Sequence, residues 1–522
     1  MSTRIAHRAV ADVALPLRVP PFLPKLLGLG VVLLALYLAT LQRVHSWDDM
    51  AYTARSVHDP LISEAGPASG LFHPHHLLYV PLVILWRGLL RPFGIGGGDP
   101  FLPLQILNAL LGAGVAVLVG LIAAGRSGRS GAALAAAAGC GLSNGIWVYS
   151  TQGEVMIPAL FFFLLGAWLL SGGPGRAAPV AAATSLAASV LLHQFTVLLV
   201  TPLLLVWLRA RPRRNSALLC AGVVGLVVAP YVAVAMAAEH IRSPLVFLDW
   251  VLAMRHRSTF GHLSPMRALG SASRAFLESF LSLSPLRDWF TKRSPSTGLP
   301  AAVDAALLIA LPAVAMQSLR AVARALFERE AVTLALGGGM VFAMGFNLWF
   351  QPGVDDFWTY LPALVWIVAA THSASGSRGR LGLTVLLLAL GAANLAWRAL
   401  PDRDPRHAPY VDQIDYARRH LARGDVLILG DNGALLHENL LALPLLEGVE
   451  IVLAPVDSTS AEAHRFRTLL LPALARQRRS GGKLVTPEDV LPAVSPLVPS
   501  LQWIPADTLR GHRMFATSVP AG

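Results

Sequence analysis

The chain has 522 residues, of which 54% are hydrophobic and 14% charged, and it carries a formal net charge of +12. A water-soluble protein of that composition would have too little polar surface to cover its core, which excludes an ordinary soluble enzyme and points to lipid as the solvent. The basic residues fall in short clusters between apolar runs and form no stripe along one element, so they mark membrane topology and exclude a nucleic-acid surface.

In chain order, Arg4, Arg8, Arg18 and Lys25 precede an apolar run from Leu26 to Leu41 with no small-residue cleavage site behind it. That run is expected to stay in the protein as a first span. A bilayer core about 30 Å thick needs about 20 apolar residues in a helix. Such runs recur near 26–42, 101–124, 131–150, 155–171, 177–193, 194–208, 216–238, 299–319, 331–350, 357–372 and 380–397. The expected fold is an α-helical polytopic membrane protein with about eleven transmembrane helices. Cys140 and Cys220 lie inside apolar runs and predict neither a disulfide framework nor a cysteine metal site.

With the N-terminus cytoplasmic, the inner loops hold Arg126 and Arg129, then Arg176, then Arg209, Arg211, Arg213 and Arg214. Arg320, Arg324 and Arg329 follow, and last Arg378 and Arg380. Each of these loops is basic, as the positive-inside rule requires of a multi-pass protein of the inner (plasma) membrane. The same order places loops 43–100 and 239–298 outside, together with the tail from Arg398. Leu77 to Leu90 is short for a span and interrupted by Arg87, so it is expected to lie in the membrane surface.

The tail alternates helical and strand-like signals. Asp412 to Ala422 and Glu462 to Arg479 read as helices, Asp425 to Leu429 and Glu450 to Leu453 as strands. Two domains are expected: a transmembrane domain over 1–398 and a small extracytoplasmic α/β domain over 399–522.

Acidic residues at the outer ends of spans are functional candidates because charge near a membrane is costly to keep. The first outer loop opens with Asp48-Asp49-Met50-Ala51-Tyr52 and Arg55. In a helix, Asp48, Tyr52 and Arg55 share a face, and Asp49 points about 100° away. His73-Pro74-His75-His76 follows, with Pro74 suited to a first helical turn and imidazoles suited to phosphate, metal or proton relay. Glu154, His193 and the pair Asp355–Asp356 lie in shorter outer turns. Helix N-terminal stabilisation explains Glu154 equally well, an internally satisfied histidine explains His193, and an N-cap explains the aspartate pair.

Taken in order, these positions resemble the GT-C superfamily of integral-membrane glycosyltransferases, in particular the protein O-mannosyltransferase-like group of glycosyltransferase family 39. The resemblance covers roughly residues 20 to 400. Asp48-Asp49-Met50-Ala51-Tyr52 matches the family's first-loop acidic motif, and His73-Pro74-His75-His76-Leu77 matches the start of its juxtamembrane helix, with histidine in place of a second proline. Glu154 matches the second outer acid, Leu192-His193-Gln194 a histidine turn, and Tyr360-Leu361-Pro362 part of a late Arg-Tyr-x-x-Pro motif. Trp358-Thr359 stands where that motif usually has arginine.

The resemblance implies transfer of a sugar from a polyprenyl-phosphate donor to an acceptor hydroxyl of protein, lipid or glycan on the extracytoplasmic face. It makes Asp48, then Asp49, the base, and has Glu154 orient the acceptor or help Asp48 hold a divalent metal cation. Arg55, His73, His75 and His76 then face the departing phosphate, and His193 and Tyr360 the substrate. A multi-span transporter or lipid flippase uses the same materials, but would show matching interruptions in two halves, and no such internal symmetry is visible. A membrane scaffold presenting the tail to partners is the remaining reading.

Overall fold

The computed structural model describes residues 21–56, 71–96, 99–171, 177–210, 212–252, 264–292, 298–328, 331–371 and 377–404. In the C-terminal part it describes 419–422, 425–430, 450–454, 482–488, 491–495, 502–509 and 512–518. The chain divides into two compact units: Met1–Gln42 with Phe72–Tyr79 and Gln105–Arg403, and Arg43–Leu71 with Val80–Leu104 and Asp404–Gly522.

Each expected apolar run carries a helix. They are α1 (Leu23–Ala39), α4 (Leu102–Ser127), α5 (Ser130–Leu142) with α6 (Asn144–Ser150), α7 (Met156–Ser171), α8 (Ala177–Leu192), α9 (Val197–Ala210) and α10 (Arg213–Ala237). After the long loop come α14 (Gly298–Glu328), α15 (Ala331–Phe350), α16 (Tyr360–Thr371) and α17 (Ser377–Asn394). Between these sets the described part of the loop holds the shorter helices α11 (Pro244–Val251), α12 (Pro265–Glu278) and α13 (Ser284–Lys292).

Among the described residues, four stretches are long and apolar enough to cross a membrane: Leu102–Ser127, Asn215–Ala237, Ala331–Phe350 and Leu381–Arg403. Leu23–Ala39, Met156–Ser171, Pro179–Leu192, Gln194–Arg209 and Gly298–Leu311 are shorter apolar helices, and α5 with α6 forms one broken stretch bent by 65°.

That break is held by side chains from distant elements, which take over the main-chain groups a bent helix frees. Asn394 at the end of α17 donates to the Leu142 and Phe280 carbonyls at 2.8 and 2.9 Å, and its own oxygen accepts the Ser282 N–H at 2.9 Å. Trp366 Nε1 donates to Ser143 Oγ at 3.1 Å, and Asn144 Nδ2 to the Glu278 carbonyl at 2.7 Å. Close approach here demands small residues. A Cβ at Gly139 would meet the Trp366 ring at 2.3 Å, and one at Gly112 would meet Ser150 Oγ at 1.9 Å.

In the second unit, α2 (Trp47–Ser56) follows the first span, and α3 (Tyr79–Leu90), nearly all of which belongs to this unit, occupies the stretch read as lying in the membrane surface. Trp86 Nε1 donates to the Pro103 carbonyl at 2.8 Å and Arg87 to the Pro100 carbonyl at 2.6 Å, so the arginine that interrupts the apolar run is committed to main chain.

The tail holds a five-stranded sheet. β1 (Val426–Gly430) pairs in parallel with β2 (Glu450–Ala454) and β3 (Lys483–Pro487), while β5 (His512–Ser518) runs antiparallel to β3 and to β4 (Ile504–Leu509). Both expected strands are present and three more complete the sheet. Asp425 precedes β1 and accepts the Lys483 N–H at 2.6 Å, tying β1 to β3. The helices expected over 412–422 and 462–479 lie almost wholly outside the described residues.

Candidate active site

In the first unit, four turns meet at one end of the helices. The turn that carries Glu154 joins α6 to α7. Asn108 on α4 donates to the carbonyls of Tyr149, Gln152 and Glu154 at 3.2, 2.8 and 2.6 Å. Gln105, one turn earlier, donates to those of Gln42 and Thr151 at 2.7 and 3.0 Å. Tyr79 donates its hydroxyl to the Gly153 carbonyl at 2.8 Å. Glu154 is 1% exposed, on a backbone fixed from three sides.

His73-Pro74-His75-His76 forms a short 3₁₀ turn (Pro74–His76) with Pro74 in its first position, as its sequence requires. His73 is the N-cap and its Nδ1 accepts the His75 N–H at 3.3 Å. Tyr231 on α10 donates its hydroxyl to the Pro74 carbonyl. The His73 and His76 rings stack at 5.4 Å and 19°, and His76 stacks in turn on His193 at 5.1 Å and 17°.

His193 lies between α8 and the 3₁₀ turn Gln194–Thr196, where the chain is extended. Its Nδ1 shares a hydrogen bond of 2.7 Å with the Tyr360 hydroxyl, which lies 3.4 Å from Met156 Sδ. Burial holds the His193 imidazole down at about 3, with the neighbouring His75 ring adding to the effect, so His193 is neutral at physiological pH.

The pair Asp355–Asp356 opens a 3₁₀ turn whose N-cap is Val354, and no side chain caps it. Asp356 instead accepts the Tyr149 hydroxyl, which corrects the N-cap reading. Burial and then Glu278 push the Asp355 carboxyl up to about 6, against the pull of Arg274 and Arg398. Asp356 is pushed up by burial and by Asp355, with the Tyr149 bond opposing. Asp356, Glu154 and Asp355 all act electrostatically on Tyr149, so the three acids of the two turns converge on one phenol. Trp358 is buried and donates its Nε1 to the Pro352 carbonyl at 3.2 Å.

The first-loop acids belong to the second unit. Ser46 Oγ accepts the Asp49 N–H at 3.0 Å at the start of α2. Among the described side chains of α2, Asp49, Tyr52, Thr53 and Ser56 are buried and Asp48 is half-buried, so of the two neighbouring carboxylates Asp49 is the more enclosed. Asp49 is 0% exposed and accepts from His45 Nδ1 at 2.6 Å, while the His45 ring stacks on Phe101 at 3.6 Å. Asp48 is half-buried, and the Arg55 side chain lies outside the described residues.

The structure thus brings together Glu154, His73, His75, His76, His193 and Tyr360. Sequence reasoning missed Asn108, Tyr149, Glu278 and His45. His45 alone had a local signal, its i, i+4 spacing to Asp49. Among the described residues no three His, Cys, Asp or Glu side chains gather as a metal site, so the divalent cation finds no complete ligand set there.

No protein-family model matches the sequence, and no curated protein matches it. Among solved structures, ArnT from Cupriavidus metallidurans bound to undecaprenyl phosphate is similar, with 13% identity, a TM-score of 0.59, and coverage of 96% of this chain and 99% of that one. The apo form of the same protein gives 13% identity, a TM-score of 0.56, and coverage of 95% and 97%. At that identity the likeness is one of fold, and it runs nearly end to end in both chains. The expected helical, polytopic membrane architecture is therefore borne out: this chain shares the fold of ArnT, with a small sheet-containing C-terminal region.

Proposed function

We propose that the chain is a membrane glycosyltransferase, moving a sugar from a polyprenyl-phosphate-linked donor to an acceptor hydroxyl on the extracytoplasmic face. The observation that carries this reading is the cluster of buried Glu154 and Tyr149 with half-buried Asp356, beside the His193–Tyr360 pair and the histidine stack, in a fold shared with a protein crystallised with undecaprenyl phosphate. A finer reading, hexosyl transfer of the mannosyl type, rests on the sequence resemblance.

The chemistry needs three parts. A carboxylate takes the proton of the acceptor hydroxyl as its oxygen attacks the anomeric carbon. Asp48 and Asp49 are the candidates, and Asp49 is positioned by its hydrogen bond to His45. Glu154 orients the acceptor. As the bond between the anomeric carbon and the phosphate oxygen breaks, the departing phosphate gathers charge that His73, His75, His76 and Arg55 are placed in sequence to meet. A single displacement inverts the anomeric centre.

The test is sugar transfer by the purified protein from radiolabelled polyprenyl-phosphate sugar, run on wild type and on Asp48→Asn, Asp49→Asn and Glu154→Gln. Transfer that disappears in Glu154→Gln and in Asp48→Asn with unfolding temperatures preserved, or in Asp49→Asn while the variant is still folded at the assay temperature, supports the assignment. Transfer undiminished in all three removes these acids from the mechanism.

A further inference from the structure

Tyr360 and His193 stand 167 positions apart, yet the phenol oxygen and His193 Nδ1 share one hydrogen bond of 2.7 Å. Both side chains are buried, at 0% and 2% exposure. The same phenol oxygen lies 3.4 Å from Met156 Sδ, so its single proton has two acceptors to choose between. The choice fixes the histidine. If the phenol donates to Nδ1, the neutral imidazole carries its proton on Nε2, and if the phenol donates to sulfur, Nδ1 must be the protonated nitrogen.

An imidazole nitrogen accepts strongly and a thioether sulfur weakly, so the phenol proton goes to Nδ1. The rings of Phe195, Phe357 and Tyr360 lie 5.9, 6.2 and 6.1 Å from that of His193, and His76 lies at 5.1 Å, all within 23° of parallel to it. In so apolar a setting a hydrogen bond counts for more than it does in water, which widens the gap between the two acceptors. The backbone is held as well: the His193 N–H donates to the Ser189 carbonyl at 3.0 Å, and the His193 carbonyl accepts the Thr196 N–H and hydroxyl at 3.0 and 2.9 Å. Nε2 makes no hydrogen bond to a described residue.

What the fold leaves over is one uncharged N–H, since burial keeps His193 neutral, set among aromatic rings. That combination selects its ligand. A phosphate dianion against a neutral donor and apolar walls would be a buried charge without compensation. A hexose presents oxygens that accept from such a donor and C–H faces that pack on aromatic rings.

We infer that Tyr360 is a positioning residue that locks His193 as the Nε2–H tautomer, and that this N–H donates to an uncharged oxygen of the hexose on the polyprenyl carrier. The hexose rests on the transferase reading, whereas the lock rests on the geometry of this chain alone. No proton is transferred and no covalent bond changes. The contact gives specificity, because a group built to hydrogen-bond a substrate oxygen is left unpaired by a sugar that lacks it.

The lock is tested on full-length protein in lipid nanodiscs with its histidines labelled with nitrogen-15, the His193 signals being those missing from His193→Gln. Wild type and Met156→Leu are expected to show a protonated Nε2 and a bare Nδ1, and Tyr360→Phe a mixture of the two tautomers. A protonated Nδ1 in wild type overturns the lock, as does a Tyr360→Phe spectrum identical to wild type. The ligand is tested with radiolabelled polyprenyl-phosphate mannose and polyprenyl-phosphate glucose, with undecaprenyl phosphate as the sugar-free probe and folding checked by thermal unfolding. His193→Phe is expected to raise KM for the hexose donor by about tenfold or more, because a buried donor is lost. Its affinity for undecaprenyl phosphate is expected to stay at the wild-type value. His193→Gln, whose carboxamide keeps an N–H near the place of Nε2, is expected to recover most of the KM. Equal weakening of hexose donor and bare carrier in His193→Phe overturns the sugar contact. Folded wild type that transfers neither hexose overturns the hexosyl-transfer reading, and the nitrogen spectra still decide the lock.

Discussion

Asn108 Nδ2 lies 2.6 Å from the main-chain oxygen of Glu154, and the same carboxamide also donates to the Gln152 and Tyr149 carbonyls. One residue on α4 therefore sets the backbone on which the buried acid stands. Asn108→Ala is expected to cost about 1–3 kcal/mol, because carbonyls are left unpaired in a buried site. It is also expected to lower sugar transfer by at least about tenfold through misplacement of Glu154. Thermal unfolding and transfer measured on the same preparation check both, and wild-type transfer in this variant would remove Asn108 from any positioning role.

His45 and Asp49 form a close buried pair whose acid is fully enclosed. Breaking such a pair from one side leaves an uncompensated charge, at a cost of about 3–5 kcal/mol. His45→Ala is expected to lose more stability than the double variant His45→Ala/Asp49→Asn, which removes both partners. Unfolding temperatures of the two single variants and the double decide it, and a simple sum of the single losses would refute the pairing.

Acid should destabilise the protein through His193. Its folded imidazole titrates at about 3, well below the ordinary histidine value, so the unfolded chain takes up a proton that the native state refuses. Stability from this group is lost as pH falls below about 6.5 and continues to fall towards 3. The unfolding temperature of His193→Gln, relative to wild type, is expected to rise as pH is lowered from 7 to 5.

Asp355 has the opposite sign. Its folded carboxyl titrates at about 6, above the ordinary aspartate value, so the native state binds the proton more tightly and stability falls as pH rises through that window. Asp355→Asn is expected to be most stabilising relative to wild type above pH 6, with the advantage shrinking towards pH 4. An advantage independent of pH would mean that the carboxyl is not held protonated by its surroundings.

Gly139 packs against the face of Trp366, and an added Cβ would sit 2.3 Å from the ring. The indole is buried and anchored through Nε1 to Ser143. Gly139→Ala is expected to cost about 1–3 kcal/mol by overpacking, read as a lower unfolding temperature. Gly28, whose Cβ would meet nothing within 4 Å, is the control position and should tolerate alanine.

Much of the molecule was legible because the signals are local. Apolar runs of span length predict helices wherever they occur, since in lipid a chain must satisfy its own main-chain groups. His73-Pro74 at the start of a turn, and Glu154, His193 and Tyr360 at the ends of apolar runs, could likewise be read without knowing what they touch. The break of one run at Ser143 was not legible, because Asn394, which satisfies it, lies 252 positions from Leu142. Tyr149, 207 positions from Asp356, carried no sign of its partner either.

By itself, then, the sequence determined a many-span membrane protein, the residues available at the ends of those spans, and the strands that begin the tail's sheet. Tertiary structure decided which of them are buried and with what: Asp49 inward with His45, Asp356 on Tyr149 instead of capping a helix, and the imidazoles in one column. The physical reason is that hydropathy and helical period depend on neighbours a few residues away. Desolvation, by contrast, depends on elements brought together from across the chain.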